Sequence, residues 1–218
     1  MRNRFDIKLN DLKNDIVMMG TLIEQAISKS IIALREQNIQ LAREVIANDD
    51  AVDDLERTIE RKSLRILLTE QPVAKDLRDI STALKMITDM ERICDHAVDI
   101  AEIALNFKGK SNIIMPGSIV PMAHKAIAMV SRSIDAFVTQ DLALANSVIG
   151  MDDEVDHLFL VVRDEIVGCI LADKNSAEQA IDFMMIAKYL ERVGDHAQNV
   201  AEWVIFNITG EHKNERIL

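Results

Sequence analysis

Glu91-Arg92-Ile93-Cys94-Asp95-His96-Ala97 returns one hundred residues later as Glu191-Arg192-Val193-Gly194-Asp195-His196-Ala197, and both segments run on to an Ala-Glu pair at 101/102 and 201/202. Upstream the repeat continues at an offset of 103: Met19 to Leu55 aligns with Met122 to Leu158, with 15 of the 37 pairs identical. The matches include Ser28/Ser131, Ile31/Ile134, Leu41/Leu144 and Val45/Val148, and they end on Asp49-Asp50-x-Val52-Asp53 against Asp152-Asp153-x-Val155-Asp156. The change of offset falls between Glu70-Gln71-Pro72 and Asp173-Lys174-Asn175. Connections absorb length differences that packed helices do not, so a loop belongs there. The chain is therefore a tandem duplication, and its organisation follows from one unit.

Within that unit apolar residues recur with a period of 3.6, and only 7 Gly and 3 Pro occur in 218 residues. The expectation is an all-α fold of two tandem three-helix bundles related by pseudo-twofold symmetry, because long helices in so small a unit leave apolar stripes that the other copy must cover. The first helix is expected from about Phe5 to Ile46, roughly 60 Å long, the second from about Asp50 to Leu68 and the third from about Val73 to Phe107. Their counterparts begin near Ser118, Asp152 and Ser176. Asn48-Asp49 and Met151-Asp152 are read as opening the second helices, where Asn or Asp caps free N–H groups, and Pro72 ends one. Gly109-Lys110-Ser111 to Pro116-Gly117 reads as the linker, dividing the chain into repeat 1 (1–110) and repeat 2 (111–218).

The net charge of −11 repels phosphate backbones and anionic lipid heads, which argues against nucleic acid as a partner and favours cations and basic protein surfaces. The charged N-terminus lacks a signal-peptide core, and no uncharged stretch of about 18 apolar residues follows. A soluble, cytoplasmic protein is expected. Cys94 and Cys169 stand singly in helical patterns and read as free thiols. Met18, Met19, Met90, Met184 and Met185 read as core filler.

The residues able to carry chemistry are carboxylates. Glu91, Asp95, Asp99 and Glu102 lie within about 80° on a helical wheel, beside the apolar face of their helix, and Glu191, Asp195, Asn199 and Glu202 repeat the pattern. The second helices add Asp49 with Asp53 and Asp152 with Asp156. Like charges four apart cost a few tenths of a kcal/mol per pair, a cost that a bound cation removes. Oxygen-rich sites between facing helices suit Mg, Mn, Ca and iron. The candidate metal ligands are Asp49, Asp53, Glu91, Asp95, Asp152, Asp156, Glu191 and Asp195. Against this, Asp49 and Asp152 serve equally as helix caps, and Arg92 and Arg192 can neutralise the stripes as surface pairs. His96 and His196, about 140° from Glu91 and Glu191, read as polar interface residues rather than ligands. Glu154 and His157 match the ExxH of di-metal carboxylate bundles, but Asp54 holds the place equivalent to His157, so a ferritin-like oxidase or metal store is only the alternative. Phosphate loops, GxSxG, HExxH and triad arrangements are missing, so no catalytic residues are assigned and the chain is not read as an enzyme.

Met18-Met19-Gly20 followed by Glu24-Gln25, the segment Gln71-Pro72-Val73-Ala74-x-Asp76-Leu77-Arg78 and the twin Glu-Arg-Ile/Val-x-Asp-His motifs resemble the PhoU family over nearly the whole chain. The resemblance implies a cytoplasmic regulator of phosphate uptake and a negative regulator of the phosphate-starvation (Pho) response. Members join the ATPase subunit of the phosphate ABC transporter to a phosphate-sensing histidine kinase, and they reach the membrane only through such partners. It also implies a homodimer and metal ions, divalent or trivalent (Fe, Mn, Mg or Zn), held singly or in clusters by E/DxxxD motifs. By position these motifs fall on Asp49 with Asp53, Glu91 with Asp95, Asp152 with Asp156, and Glu191 with Asp195. Asn199, where the first copy has Asp99, is expected to weaken the second site.

Overall fold

A computed structural model describes residues 2–107, 114–212 and 215–216. Seven α-helices occur among them: α1 (Arg2–Glu36), α2 (Ile39–Ala47), α3 (Asp49–Glu70), α4 (Ala74–Asn106), α5 (Ile119–Thr139), α6 (Leu142–Ala172) and α7 (Ala177–Thr209). A 3-10 turn at Lys174–Ser176 precedes α7, and after it a two-residue antiparallel ladder pairs Glu211 with Arg216 and His212 with Glu215. The fold is all-α, as expected.

The expected boundary of the first helix is corrected. It ends at Glu36 rather than Ile46, giving 35 residues and roughly 50 Å. Gln37 turns left-handed (φ 51), and the Asn38 side chain accepts a hydrogen bond from Leu41 N, opening a new helix. The second copy breaks at the matching place: Gln140 has φ 56, and Asp141 accepts from Leu144 N. The expected openings at Asn48-Asp49 and Met151-Asp152 are corrected too. Asn48 separates α2 from α3 without capping through its side chain, and Met151-Asp152 lies inside the unbroken α6, so Asp152 caps nothing. Ser118 and Ser176 do precede α5 and α7. Of the linker, residues 109–113 lie outside the described residues.

Four helices form a ring, α1 on α4, α4 on α7, α7 on α5 and α5 back on α1. The second helix of each unit covers it, α3 against α1 and α4, and α6 against α5 and α7. The core is continuous through both copies, with Ile16, Met19 and Ile23 of α1, Met86, Met90 and Ile93 of α4, Met122 and Met129 of α5, and Ile186 and Leu190 of α7 fully or nearly buried. Met18 and Met185 are exposed and are not core filler. Cys94 is buried and Cys169 half-buried, both free. Gly20 brings α1 against α5, since a Cβ there would lie 2.3 Å from Ile134 Cδ1. One window within Phe5–Glu36 is apolar enough to cross a bilayer, nearer to a span than the charge pattern led us to expect, but half of it is buried inside the bundle. Core packing accounts for that apolarity.

The two units meet along α4 and α7, which run antiparallel. Phe107 stacks on Phe183 at one end (5.1 Å between centroids), and Asn207 Nδ2 donates to Asp79 Oδ1 (2.8 Å) at the other. Between them His196 Nδ1 lies 2.8 Å from Asp89 Oδ1, and His96 stacks on Tyr189. These pairs are counterparts, because Asp89 and Tyr189 occupy equivalent positions, as do His96 and His196.

Candidate metal centres

On α3, Asp49, Asp53 and Glu56 fall at i, i+4 and i+7, so they share one face; on α4, Glu91 and Asp95 share another. These faces meet. Burial raises the Glu91 carboxyl to about 7, helped by the charges of Asp95, Glu56 and Asp53. Asp95 is raised by desolvation and then by Asp49 and Asp53, and Asp49 by desolvation against a bond from the Cys94 thiol. That thiol is itself pushed well up by its burial and by Asp49. Glu56 joins the group and is raised by burial and by Asp53. The four expected acids of the first copy therefore come together with a fifth that sequence reasoning missed. Its counterpart is Phe159, so the duplication did not mark it.

In the second copy α6 and α7 do the same for Asp152, Asp156, Glu191 and Asp195. Desolvation raises Asp152 to about 6, with Asp156, Asp195, Asp153 and Glu191 adding to it. Asp195 is raised by desolvation and by Glu191, against Lys188. Lys188 forms an ion pair with Glu191 and lies 5.6 Å over the Phe159 ring. Thr88 stands at the matching place in the first copy, so this cation belongs to one site alone. The second site is the less anionic because Phe159 stands where Glu56 adds a fifth acid, and not through Asn199, which donates to Asp89 across the α4–α7 interface (3.4 Å). Asp99 lies 3.3 Å from His96 Nδ1 on its own helix while its charge still acts on Asp95, so it stands at the margin of the acidic face rather than inside the cluster.

The helices approach differently at the two sites. Gly194 lets α6 run close to α7: a Cβ there would come 3.3 Å from Asp152 Oδ1 and Val155 Cγ1. Cys94 fills that position in the first copy, and opposite it the second helix is broken at Asn48. Glu154 turns instead to Lys125 on α5 (2.6 Å), and His157 is exposed, so the ExxH pair is not part of either cluster.

Among the described residues no three His, Cys, Asp or Glu side chains already stand in ligand geometry. The chemistry of the donor set nonetheless fits a hard cation. Each site is a set of carboxylates on facing helices where burial, and after it shared charge, raises Asp49, Glu56, Glu91 and Asp95 in the first copy and Asp152 and Asp195 in the second, and a cation offsets that cost directly. Asp49, Asp53, Glu56, Glu91 and Asp95 would hold it in the first copy, and Asp152, Asp156, Glu191 and Asp195 in the second. Arg57 tempers the first set through Asp53 (2.9 Å), whereas Leu160 holds its place in the second.

The family model described as PhoU domain matches the chain twice, over residues 16–104 and 119–204. A phosphate-specific transport system accessory protein PhoU homolog of Clostridium acetobutylicum is 37% identical over 211 residues, 96% of either chain. One of Pseudomonas aeruginosa is 33% identical over 95% of this chain and 86% of its own length. Among solved structures, PhoU from Pseudomonas aeruginosa superposes with a TM-score of 0.89 at 32% identity, covering 95% of this chain and all of the other. The phosphate transport system regulatory protein PhoU from Streptococcus pneumoniae superposes with a TM-score of 0.87 at 26% identity, covering 95% and 98%.

Proposed function

The chain belongs to the PhoU family, and from that premise we propose that it is a cytoplasmic regulator of phosphate uptake and a negative regulator of the phosphate-starvation response. In this reading it is an adaptor between the ATPase subunit of a phosphate ABC transporter and a phosphate-sensing histidine kinase, acting as a homodimer. The observation that carries the reading is the family match over both copies, which spans every acid of the two clusters. The relatives' description as accessory proteins of phosphate-specific transport supports a role beside the transporter rather than within the membrane. Absence of the protein from the cell that encodes it should therefore derepress phosphate-starvation genes in phosphate-rich medium. Repression that persists without it sinks the reading.

Metal ions, Fe, Mn, Mg or Zn, brace the acidic faces in the same proposal. The chemistry a cation supplies is charge neutralisation between α3 and α4 and between α6 and α7, which stiffens the surfaces a partner meets. Elemental analysis of protein purified without chelator should find metal, and its addition to chelator-treated protein should raise the melting temperature. The rise should shrink when Glu91→Gln and Asp95→Asn are combined. It should shrink less for Glu191→Gln with Asp195→Asn, because that site has four acids against five and Lys188 already pairs with Glu191 itself. No metal and no change in melting temperature would remove the metal role while leaving the regulatory one standing.

A further inference from the structure

The two copies are equivalent in sequence but unequal in what covers them. α1 has 35 residues and α5 has 21, and their last turns align, so α1 carries about four additional turns at its start. Those turns fill the groove between the C-terminal half of α3 and the N-terminal half of α4. Phe5 and Leu9 pack on Ile66, Leu67, Ile80 and Leu84, Leu12 continues into the main core, and Lys8 forms an ion pair with Glu70 at the end of α3. The filling helix thus presents apolar anchors at i, i+4 and i+7 and a cation at i+3.

The corresponding groove of the second copy lies between α6 and α7, and no described helix fills it. Ile114 and Pro116 border a cavity of about 350 Å³ there, whose walls include Ile166, Gly168, Cys169, Ala172, Ala180 and Phe183. Cys169 stands where the first copy has Ile66, and Ala180 where it has Ile80, so the floor is set back by smaller side chains. Asp173 stands where Glu70 receives Lys8. The contact nearest the ring is already made: Ser118 bonds Glu165 through its hydroxyl and its N–H (2.7 and 3.1 Å), at the positions where the first copy pairs Asp15 with Lys62. Met115, at the place of Leu12, also packs on the main core, so among the described residues what is unfilled is the part that Phe5, Lys8 and Leu9 fill in the other copy.

We propose that the α6–α7 groove is a docking site for an amphipathic helix of a partner protein, with apolar anchors at i and i+4, the first aromatic, and a Lys or Arg at i+3 facing Asp173. The groove is matched to such a helix because the chain's own duplicate shows that helix seated on the equivalent walls, and grooves of this kind are read through just such anchors. The larger volume left by Cys169 and Ala180 suits an aromatic anchor, and the carboxylate of Asp173 selects a basic flank. This inference rests on the internal repeat and stands apart from the phosphate and metal readings.

The test uses the full chain and a dye-labelled synthetic peptide of residues 2–15, which carries the required pattern. Fluorescence anisotropy should show saturable binding. Gly168→Phe should weaken it by about tenfold or more by filling the groove, and it should leave the fold intact because a Cβ at Gly168 meets nothing within 4 Å. Asp173→Asn, which keeps the oxygen that accepts from Asn175 N, should weaken it several-fold by removing the charge. A peptide with Phe5 and Leu9 replaced by Ser should not bind. Failure to saturate, equal binding by the Ser peptide, or unchanged affinity in Gly168→Phe with native circular dichroism would each overturn the proposal. A dimer of the chain that Gly168→Phe converts to monomer would overturn it also, by assigning the groove to the first helix of a second copy.

Discussion

Glu91 concentrates the electrostatics of the first site in one carboxyl, half-buried and facing three other acids, and its elevation to about 7 has a definite consequence for stability. Burial and neighbouring anions disfavour the charged form in the folded chain, so the native state holds this proton more tightly than the unfolded one. The stability it contributes is complete below the ordinary value of 4.5 and is lost as pH rises through about 7. Glu91→Gln is neutral throughout, so in chelator-treated protein its melting temperature should gain on the wild type between those limits and hold a constant lead above them. A difference independent of pH would show that the site is not strained by charge. Asp152→Asn should behave alike between 3.8 and about 6. The eight acids were legible because carboxylates four apart, recurring in both copies, are a property of sequence alone. Glu56, Lys188 and Asp99 were not. Their roles depend on how far each helix is rotated toward its neighbour, and Asp99 shows that an arc of about 80° is wide enough to serve two different partners.

At the scale of the helix, the breaks in the chain are set by residues whose signal is weaker than proline or glycine. Gln37-Asn38 and Gln140-Asp141 interrupt continuous apolar patterns, and the sequence reading ran the first helix through Gln37-Asn38 because Leu41, Val45 and Ile46 continue its period. The duplication held the clue, since an amide or acid able to cap stands at the same place in both copies. Asn38→Ala and Asp141→Ala should each cost about 1 kcal/mol in chemical denaturation, and Asn48→Ala much less, because its side chain makes no cap bond. Equal losses at Asn38 and Asn48 would show that the caps do not set these boundaries. The close crossing of α1 and α5 gives a second test. Gly20→Val must displace Ile134 and should cost about 1–3 kcal/mol. Ile134→Ala destabilises on its own but should recover part of that cost in the double variant, a coupling detected by the double-mutant cycle. Strictly additive effects would mean that the two residues do not meet.

The whole molecule is organised by the α4–α7 interface, and its polar contacts show why the copies have not stayed identical. Position for position, Phe107 corresponds to Asn207 and Ala83 to Phe183, so one end of the interface is closed by stacked rings and the other by the buried Asp79–Asn207 bond. Asp89 and Tyr189 likewise give the two histidines different partners. A symmetric pairing of identical units would need each contact twice, whereas divergence lets one pairing of unlike units satisfy both ends and fix their register. Each unit alone would expose the inner faces of α4 or α7, along with Met86 and Ile93 or Ile186 and Val193, which are buried in the assembled chain. A unit of about 100 residues that lacks one side of its core has too little buried area to be stable. Fragments 1–110 and 111–218 made separately should therefore keep helical circular dichroism but unfold without a cooperative transition, and mixing or co-expressing them should restore one cooperative transition. The intact chain should melt in a single step for the same reason. Two resolved transitions, each reproduced by an isolated fragment, would show instead that the duplicated units are autonomous and that α4 and α7 merely rest on each other.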